Sequence, residues 1–145
     1  MKIYIASSYR NLNAVLLLRD CLRGAGHTVL DWTRHTPPPP DSMPFEERKR
    51  RFDTDESGTI FAFCAEACAS VDLVVYLGPA GQDAACEVGI AWCSGVPVYG
   101  FAGPLERPGL ILNRCVERWF SEYQPFFEAV QELQFKLTSP DMEGE

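Results

Sequence analysis

The sequence predicts an α/β protein with three layers, in which a mainly parallel sheet of about five strands lies between two layers of helices. Short hydrophobic runs typical of buried strands alternate with longer segments of helical periodicity, and glycine-rich or polar turns separate them. One stretch contains a complete unit. The hydrophobic run 71–77 ends at the turn 78–81, a helix-forming segment covers 83–94, and a second hydrophobic run covers 96–101. A strand, a helix and a parallel strand in this order form the βαβ unit of such sheets.

The remaining elements follow in order along the chain. They are a strand at 2–7, a helix at 12–25, a strand at 27–32, a helix start at 41–52, a buried helix at 59–70, and a closing helix at 122–137. The segment 110–119 is ambiguous and fits a short helix followed by a short fifth strand around Cys115 and Val116. The segment 53–58 is expected to interrupt the two middle helices. With the strand order 2-1-3-4-5, the turn after the first strand lies beside the turn after the third.

The segment 33–44 is predicted to be a loop because it contains four consecutive prolines, Pro37 to Pro40. Proline fits neither the interior of a helix nor a central strand. The tract is either a stiff surface connector or a wall or lid beside the ligand site.

Composition limits the organisation and the partners of the chain. It has 145 residues, of which 46% are hydrophobic, and this fits one domain, expected at 1–137, with a flexible acidic tail at 138–145. The net charge is −7, and acidic residues flank the basic run 48–51. We therefore expect no nucleic-acid polymer as a partner. No apolar run is long enough to predict a membrane helix.

The six cysteines and two histidines do not have the spacing of a zinc site. We therefore predict neither a metal nor a cofactor. Most of the cysteines lie in apolar contexts, where a free thiol packs as a small hydrophobic group. Reduced thiols and an N-terminus without a signal-peptide pattern predict a cytoplasmic protein.

Glu87 is the strongest candidate for chemistry. Ligands of open α/β sheets bind at the carboxyl ends of the strands. Glu87 lies in the first turns of the helix that follows such an end, between Cys86 and Val88, so we expect it to be partly desolvated. The alternative is an acid that only interacts favourably with the helix dipole.

Polar residues of the first turn are candidates for binding hydroxyl or phosphate groups. They are Ser7, Ser8 and Arg10. Helix capping is the alternative role for Ser8. Asp72, at the start of the third strand, is a further candidate, with a solvated or capping carboxylate as its alternative.

The turn after the third strand supplies the other binding candidates. They are Gly78, Gly81, Gln82 and Asp83. Two glycines before a helix allow backbone N–H groups to face a ligand. Asp83 is either the N-cap of the helix or an acceptor for sugar hydroxyls, and its charge argues against a phosphate at the same place.

Three blocks of sequence carry a family resemblance. They are K-I-Y-I-A-S-S at 2–8, V-D-L-V-V at 71–75, and E-V-G-I-A at 87–91 followed by G-V-P-V-Y at 95–99. Together they resemble the nucleoside 2-deoxyribosyltransferase-like superfamily, which includes the deoxynucleoside-monophosphate N-glycosidases. The resemblance implies a flavodoxin-like, Rossmann-like sandwich with a parallel five-stranded sheet.

The resemblance also implies roles for individual residues. The family glutamate matches Glu87 and attacks the anomeric carbon as the base departs, and water or another base then resolves the glycosyl-enzyme. The family tyrosine matches Tyr4 and orients that glutamate, while the glycine-rich turn contacts the 5′ end of the sugar. The family aspartate that assists the leaving base is replaced by Cys64, so the nearest acids are Glu66 and the acidic cluster at 53–56. The phosphate-binding serine of the monophosphate glycosidases falls at Gly81, which favours a nucleoside.

The resemblance therefore predicts an N-glycosidase or deoxyribosyltransferase-like enzyme of nucleotide metabolism. It cleaves the N-glycosidic bond of a nucleoside or nucleotide, and we expect a homo-oligomer by analogy. Two alternatives remain open at this point. One is a non-catalytic nucleotide-binding or sensor module of the same fold, and the other is a TIR-like NAD glycohydrolase.

Overall fold

The computed structural model describes residues 1–40 and 42–139 and confirms the predicted three-layer α/β sandwich. The strands are β1 (Lys2–Ala6), β2 (Thr28–Leu30), β3 (Leu73–Leu77), β4 (Val98–Phe101) and β5 (Arg118–Phe120). The helices are α1 (Leu12–Gly24), α2 (Phe45–Phe52), α3 (Asp55–Ser70), α4 (Gln82–Cys93), α5 (Leu110–Cys115) and α6 (Tyr123–Thr138). Short 3-10 helices lie at Tyr9–Asn11 and Trp32–Arg34.

The five strands pair in parallel, and their order is β2-β1-β3-β4-β5, the order for which the first and third turns were expected to be neighbours. Tyr4 of β1 lies opposite Leu30 on one side and Val74 on the other. Helix α4 contacts α3 and α5, so these helices share one face of the sheet. Right-handed crossovers place α1 on the opposite face. The strand order reverses direction between β1 and β3, and such a switch point is where open α/β sheets bind ligands.

The core is densest around the two central strands. Every residue of β3 and the last four residues of β1 are buried, which explains why both read as continuous hydrophobic runs. Helix α1 packs Val15, Leu18 and Leu22 against the sheet. On the far side, Phe126 of α6 contacts the rings of Phe101 and Phe120.

Three element boundaries differ from the prediction. Helix α3 begins at Asp55 and not near 59, because the Thr54 hydroxyl caps it by accepting from the backbone N–H of Ser57 at 3.2 Å. Strand β5 lies at Arg118–Phe120, two residues beyond the predicted position around Cys115 and Val116. The expected tail begins inside α6, and residues 140–145 of it lie outside the described residues. Among the described residues, no helix is long and apolar enough to span a bilayer.

Candidate active site

A cleft of about 940 Å³ opens beside the carboxyl ends of β1 and β3. Helix α4 forms one wall through Asp83, Cys86 and Glu87, and α3 contributes Cys64. The volume is within the range of small-molecule sites. The predicted site residues Ser7, Ser8 and Gly81 also line the cleft.

Tyr4 and Glu87 meet at the inner end of this cleft. The Tyr4 hydroxyl donates a hydrogen bond to Glu87 Oε1 at 2.6 Å, although the two residues are 83 positions apart. Tyr4 is fully buried, and its position in the middle of β1 leaves its ring little freedom. The second oxygen, Glu87 Oε2, is buried and has no hydrogen-bond partner among the described residues. The carboxylate is therefore held through one oxygen, while the other is buried without such a bond.

Burial controls the ionisation of this pair. Desolvation raises the pKa of Glu87 from 4.5 to about 7, against the hydrogen bond from Tyr4, which lowers it, and the nearby charge of Asp83 raises it further. Desolvation, followed by the Glu87 charge, raises the pKa of Tyr4 far above its usual value. Tyr4 therefore remains a hydrogen-bond donor, while Glu87 exchanges its proton near neutral pH.

Cys64 lies beside the same pair. Its interactions with Tyr4 and Glu87 contribute to the pKa values of all three groups. Desolvation raises the pKa of the Cys64 thiol to about 11. The family resemblance implies an aspartate at this position. Cys64 places a neutral thiol there instead.

Ser7 and Asn11 hold the two turns together. Ser7 Oγ donates to the carbonyl of Leu77 at 2.7 Å. Asn11 Nδ2 lies 3.2 Å from the same carbonyl and 2.9 Å from that of Pro79. Ser7 lines the cleft as predicted, but its hydroxyl proton bonds to the protein. Asn11 emerges only from the structure, since its partners are distant in sequence.

Ser8 also lines the cleft, but its hydroxyl differs from that of Ser7 in its hydrogen bonding. Its Oγ is buried and lacks a hydrogen-bond partner among the described residues. The expected alternative, helix capping, does not occur, because Ser8 makes no side-chain cap bond at the start of the 3-10 helix Tyr9–Asn11. Ser8 Oγ and Glu87 Oε2 are therefore two unsatisfied polar atoms in the cleft lining, suited to hydroxyl groups of a ligand.

The turn after β3 contributes fewer residues to the cleft than predicted. Gly81 and Asp83 line it, whereas Gln82 is exposed outside it. Gly78 has a packing role. A Cβ added there would lie 1.7 Å from Glu106 Oε2, whose carboxylate accepts from the Tyr76 hydroxyl at 3.2 Å. Asp83 lies in the first turn of α4, whose N-cap is Gly81.

Three predicted residues lie away from the cleft. Asp72 precedes β3, at the amino edge of the sheet, where Asp72 Oδ2 accepts from the backbone N–H of Lys2 at 2.6 Å. Glu66 is exposed on α3 and does not line the cleft, because two residues along a helix turn the side chain to another face. Arg10 is exposed and also lies outside the cleft lining. We therefore do not retain these three as site residues.

The cleft has a second wall, for which the sequence suggested only the proline tract. It includes His35, Thr36, Pro38 and Pro39 of the proline-rich loop, and Glu56 at the start of α3. The Thr36 hydroxyl donates to Glu56 Oε1. The proline tract thus forms part of a wall, one of the two roles considered for it. No periodic pattern marks these residues, but the position of the tract directly after β2 and the 3-10 turn was a usable signal.

The wall is fastened to α2. Arg48 Nη1 donates to the carbonyls of Pro39 and Pro40 at 2.9 and 3.0 Å. The guanidinium of Arg48 also lies over the ring of Phe52, 5.4 Å from its centroid.

Nowhere in residues 1–40 and 42–139 do three histidine, cysteine or carboxylate side chains converge as a metal-binding group.

Comparison with known proteins identifies the fold. No family model matches the chain, and no curated protein matches it in sequence. Among solved structures, it is similar to a 2-deoxyribosyltransferase from Bacillus psychrosaccharolyticus, with 23% identity over 87% of this chain and 90% of that one, and a TM-score of 0.67. The chain has the nucleoside 2-deoxyribosyltransferase-like fold. This confirms the fold that the three sequence blocks imply.

Two further structures share the deoxyribosyltransferase-like fold with this chain. The CMP N-glycosidase BcmB from Clostridium botulinum is 12% identical over 90% of this chain and 99% of that one, with a TM-score of 0.58. A conserved protein from Enterococcus faecalis is 18% identical over 91% and 98%, with a TM-score of 0.62. At these identities the likeness establishes the fold, and the chemistry has to be argued from the cleft itself.

Proposed function

We propose that this protein is an N-glycosidase or deoxyribosyltransferase-like enzyme that cleaves the N-glycosidic bond of a nucleoside or nucleotide, with Glu87 as the nucleophile. The observation that supports this most directly is the Tyr4–Glu87 pair at the inner end of the cleft. The two similar proteins of named activity, a 2-deoxyribosyltransferase and a CMP N-glycosidase, agree with this reaction class.

The nucleophilic step follows from the geometry of the carboxylate. Glu87 Oε1 accepts from Tyr4, so Oε2 is the oxygen that attacks the anomeric carbon. A bond forms between Oε2 and that carbon as the bond to the base nitrogen breaks, and the electron pair leaves with the base. The result is a glycosyl-enzyme and a free base. One difficult displacement is thereby divided into two easier ones.

Tyr4 positions the nucleophile and does not act as a base. Its pKa lies far above the usual value, so it keeps its proton and donates to whichever form Glu87 takes. That hydrogen bond lowers the pKa of Glu87 and increases the fraction of carboxylate at a given pH. In the second step, water or a ring nitrogen of another base attacks the anomeric carbon and loses a proton, and the carboxylate leaves.

The experiment measures release of free base from a panel of nucleosides, nucleoside 5′-monophosphates and NAD by chromatography. We expect Glu87→Gln to abolish release, because an amide oxygen is a poor nucleophile. Glu66→Gln is the matched control, since Glu66 is exposed and lies outside the cleft lining. Base release that persists unchanged in Glu87→Gln rules out the proposed nucleophile. Addition of a second, isotopically labelled base distinguishes transfer from hydrolysis.

A second candidate function is a nucleotide-binding or sensor module without turnover. The replacement of the expected acid by Cys64 supports it, because that thiol is a weak proton donor at neutral pH. Calorimetry that detects tight binding of a nucleotide without base release favours this function. Self-association and a cytoplasmic location remain predictions, to be measured by sedimentation and fractionation.

A further inference from the structure

Cleavage of an N-glycosidic bond needs a proton as well as a nucleophile. The electron pair of the breaking bond moves onto the base, and a neutral base departs readily only if it gains a proton as it leaves. In a displacement, the leaving group lies opposite the attacking oxygen. The proton donor therefore has to face the base from the side of the cleft away from Glu87.

Cys64 does not meet this requirement. Its thiol lies beside Tyr4 and Glu87, and burial raises its pKa to about 11, so it holds its proton too tightly to give it to a departing base. Asp83 is also excluded by position, since it lies on α4 one turn before Glu87. The donor has to come from a different element.

His35 is the titratable group best placed on the second wall. Helix α3 contacts both α4, which carries Glu87, and the 3-10 helix Trp32–Arg34, which His35 follows, and His35 and Glu87 line the same cleft. Its ring lines the cleft and packs edge-on against Phe63, with ring centroids 4.9 Å apart. Neither ring nitrogen has a hydrogen-bond partner among the described residues.

The backbone of His35 is fixed even though its ring nitrogens are free to bind a ligand. The Tyr9 hydroxyl donates to the carbonyl of His35 at 2.9 Å, and the Tyr9 ring packs edge-on against Trp32 at 5.0 Å. Trp32 in turn donates from Nε1 to the carbonyl of Ile5 in β1 at 2.7 Å. This series of contacts connects the second wall to the strand that carries Tyr4.

The second wall also carries the carboxylate of Glu56. It is exposed, and Oε1 already accepts from the Thr36 hydroxyl. An imidazole N–H can donate a proton to a ligand, whereas this carboxylate oxygen already acts as an acceptor. Chemistry and placement therefore favour His35 over Glu56.

We propose that His35 is the general acid that protonates the departing base, in place of the missing acid at position 64. The inference rests on the proposed N-glycosidase function. In the step, one imidazolium N–H bond breaks and the proton bonds to a nitrogen or oxygen of the base, while the C–N electron pair moves onto the base. The imidazole that remains is neutral. It then accepts a proton from the water or base that resolves the glycosyl-enzyme, which restores the starting state.

The test varies how much the leaving base needs a proton. A series of purine nucleosides of decreasing leaving-base basicity ends with an N7-methylated nucleoside, whose base departs neutral without protonation. We expect His35→Gln to lower kcat on the unmethylated nucleosides by roughly a hundredfold or more. Turnover of the N7-methylated nucleoside should stay within about threefold of the original.

Controls distinguish an acid from a structural residue. His35→Phe keeps a ring against Phe63 without a proton and should behave as His35→Gln does. Glu66→Gln, at an exposed residue outside the cleft lining, should leave the whole series unchanged, and Glu56→Gln tests the carboxylate on the same wall. Thermal unfolding confirms that each variant is folded.

Each other outcome overturns the proposal. An equal loss for all leaving groups in His35→Gln means that His35 only supports the wall, and no loss means that it takes no part. A loss confined to basic leaving groups in Glu56→Gln assigns the acid to Glu56. In these cases Glu87-dependent base release survives, so the proposed function stands. If the unchanged protein cleaves no member of the series, this inference is overturned, whereas the proposed function is decided by the wider panel of nucleosides, nucleoside 5′-monophosphates and NAD.

Discussion

Replacing Glu87 with glutamine removes a charge from a position where burial makes that charge unfavourable. Burial raises the pKa of Glu87 from 4.5 to about 7. At about 1.4 kcal/mol for each tenfold change in proton affinity, the ionised carboxylate costs the folded state about 3 kcal/mol. Glutamine has nearly the same shape, can accept from Tyr4 through its carbonyl, and carries no charge at any pH.

The sign of the effect follows from proton linkage. Well below pH 4.5 both the folded and the unfolded chain carry the proton, so the pKa difference costs nothing. Between 4.5 and about 7 the folded state keeps a proton that the unfolded state has lost, so the contribution of Glu87 to stability falls as the pH rises. Above pH 7 the full cost is present.

We therefore expect Glu87→Gln to gain stability relative to the original protein by about 2–3 kcal/mol between about pH 5 and pH 8.5. Urea unfolding followed by tryptophan fluorescence measures this, with the m-value as a check on the unfolded state. Glu66→Gln, a change at an exposed glutamate, should show no such trend. A stability difference for Glu87→Gln that does not depend on pH shows that Glu87 ionises normally and refutes the reasoning.

Three further predictions concern the same groups and one remote histidine. Tyr4→Phe removes a hydrogen bond that lowers the pKa of Glu87, so the midpoint of the pH–rate profile should move above 7 and kcat at neutral pH should fall by roughly tenfold or more. Asp83→Asn removes a charge that raises the same pKa, so that midpoint should move down, and the ratio of kcat/KM for nucleoside 5′-monophosphate to that for nucleoside should rise. Midpoints that shift in the same direction in both variants contradict this electrostatic account. His27 is buried with Nδ1 unpartnered, and desolvation lowers its pKa below 6.5, so stability falls as the pH drops through that value; His27→Leu should flatten this acid limb in urea unfolding.

Much of the fold follows from local patterns. The hydrophobic runs of β1 and β3 and the glycine-rich turn before α4 suffice to predict a parallel sheet, whereas the order of its strands comes from the structure. Local patterns alone do not predict the Tyr4–Glu87 pair, because the two residues are 83 positions apart. The pair was predicted only with the family resemblance. The sequence already argues against Asp72 as a site residue. It precedes a parallel strand and so lies at the edge of the sheet opposite the ligand site.

The remainder of the site depends on loop closure. His35 reaches the cleft because Tyr9 holds its carbonyl, and Glu56 reaches it because Thr54 starts α3 earlier than the composition of 53–58 indicates. These contacts join segments far apart in sequence through hydrogen bonds that have no periodic signature. Glu66 lies outside the cleft lining for a local reason, because helical geometry turns its side chain away from the face that carries Cys64.

Because Tyr4 lies in the centre of the sheet, the protonation of Glu87 responds to changes in the packing of the interior. Tyr4 has a paired strand on each side and no exposed surface, so its hydroxyl moves only if the centre of the sheet moves. A distant substitution that loosens β1 lengthens the 2.6 Å hydrogen bond and changes the protonation of Glu87. The carbon-13 resonance of that one carboxyl group, followed against pH, should thus register such loosening before the protein unfolds.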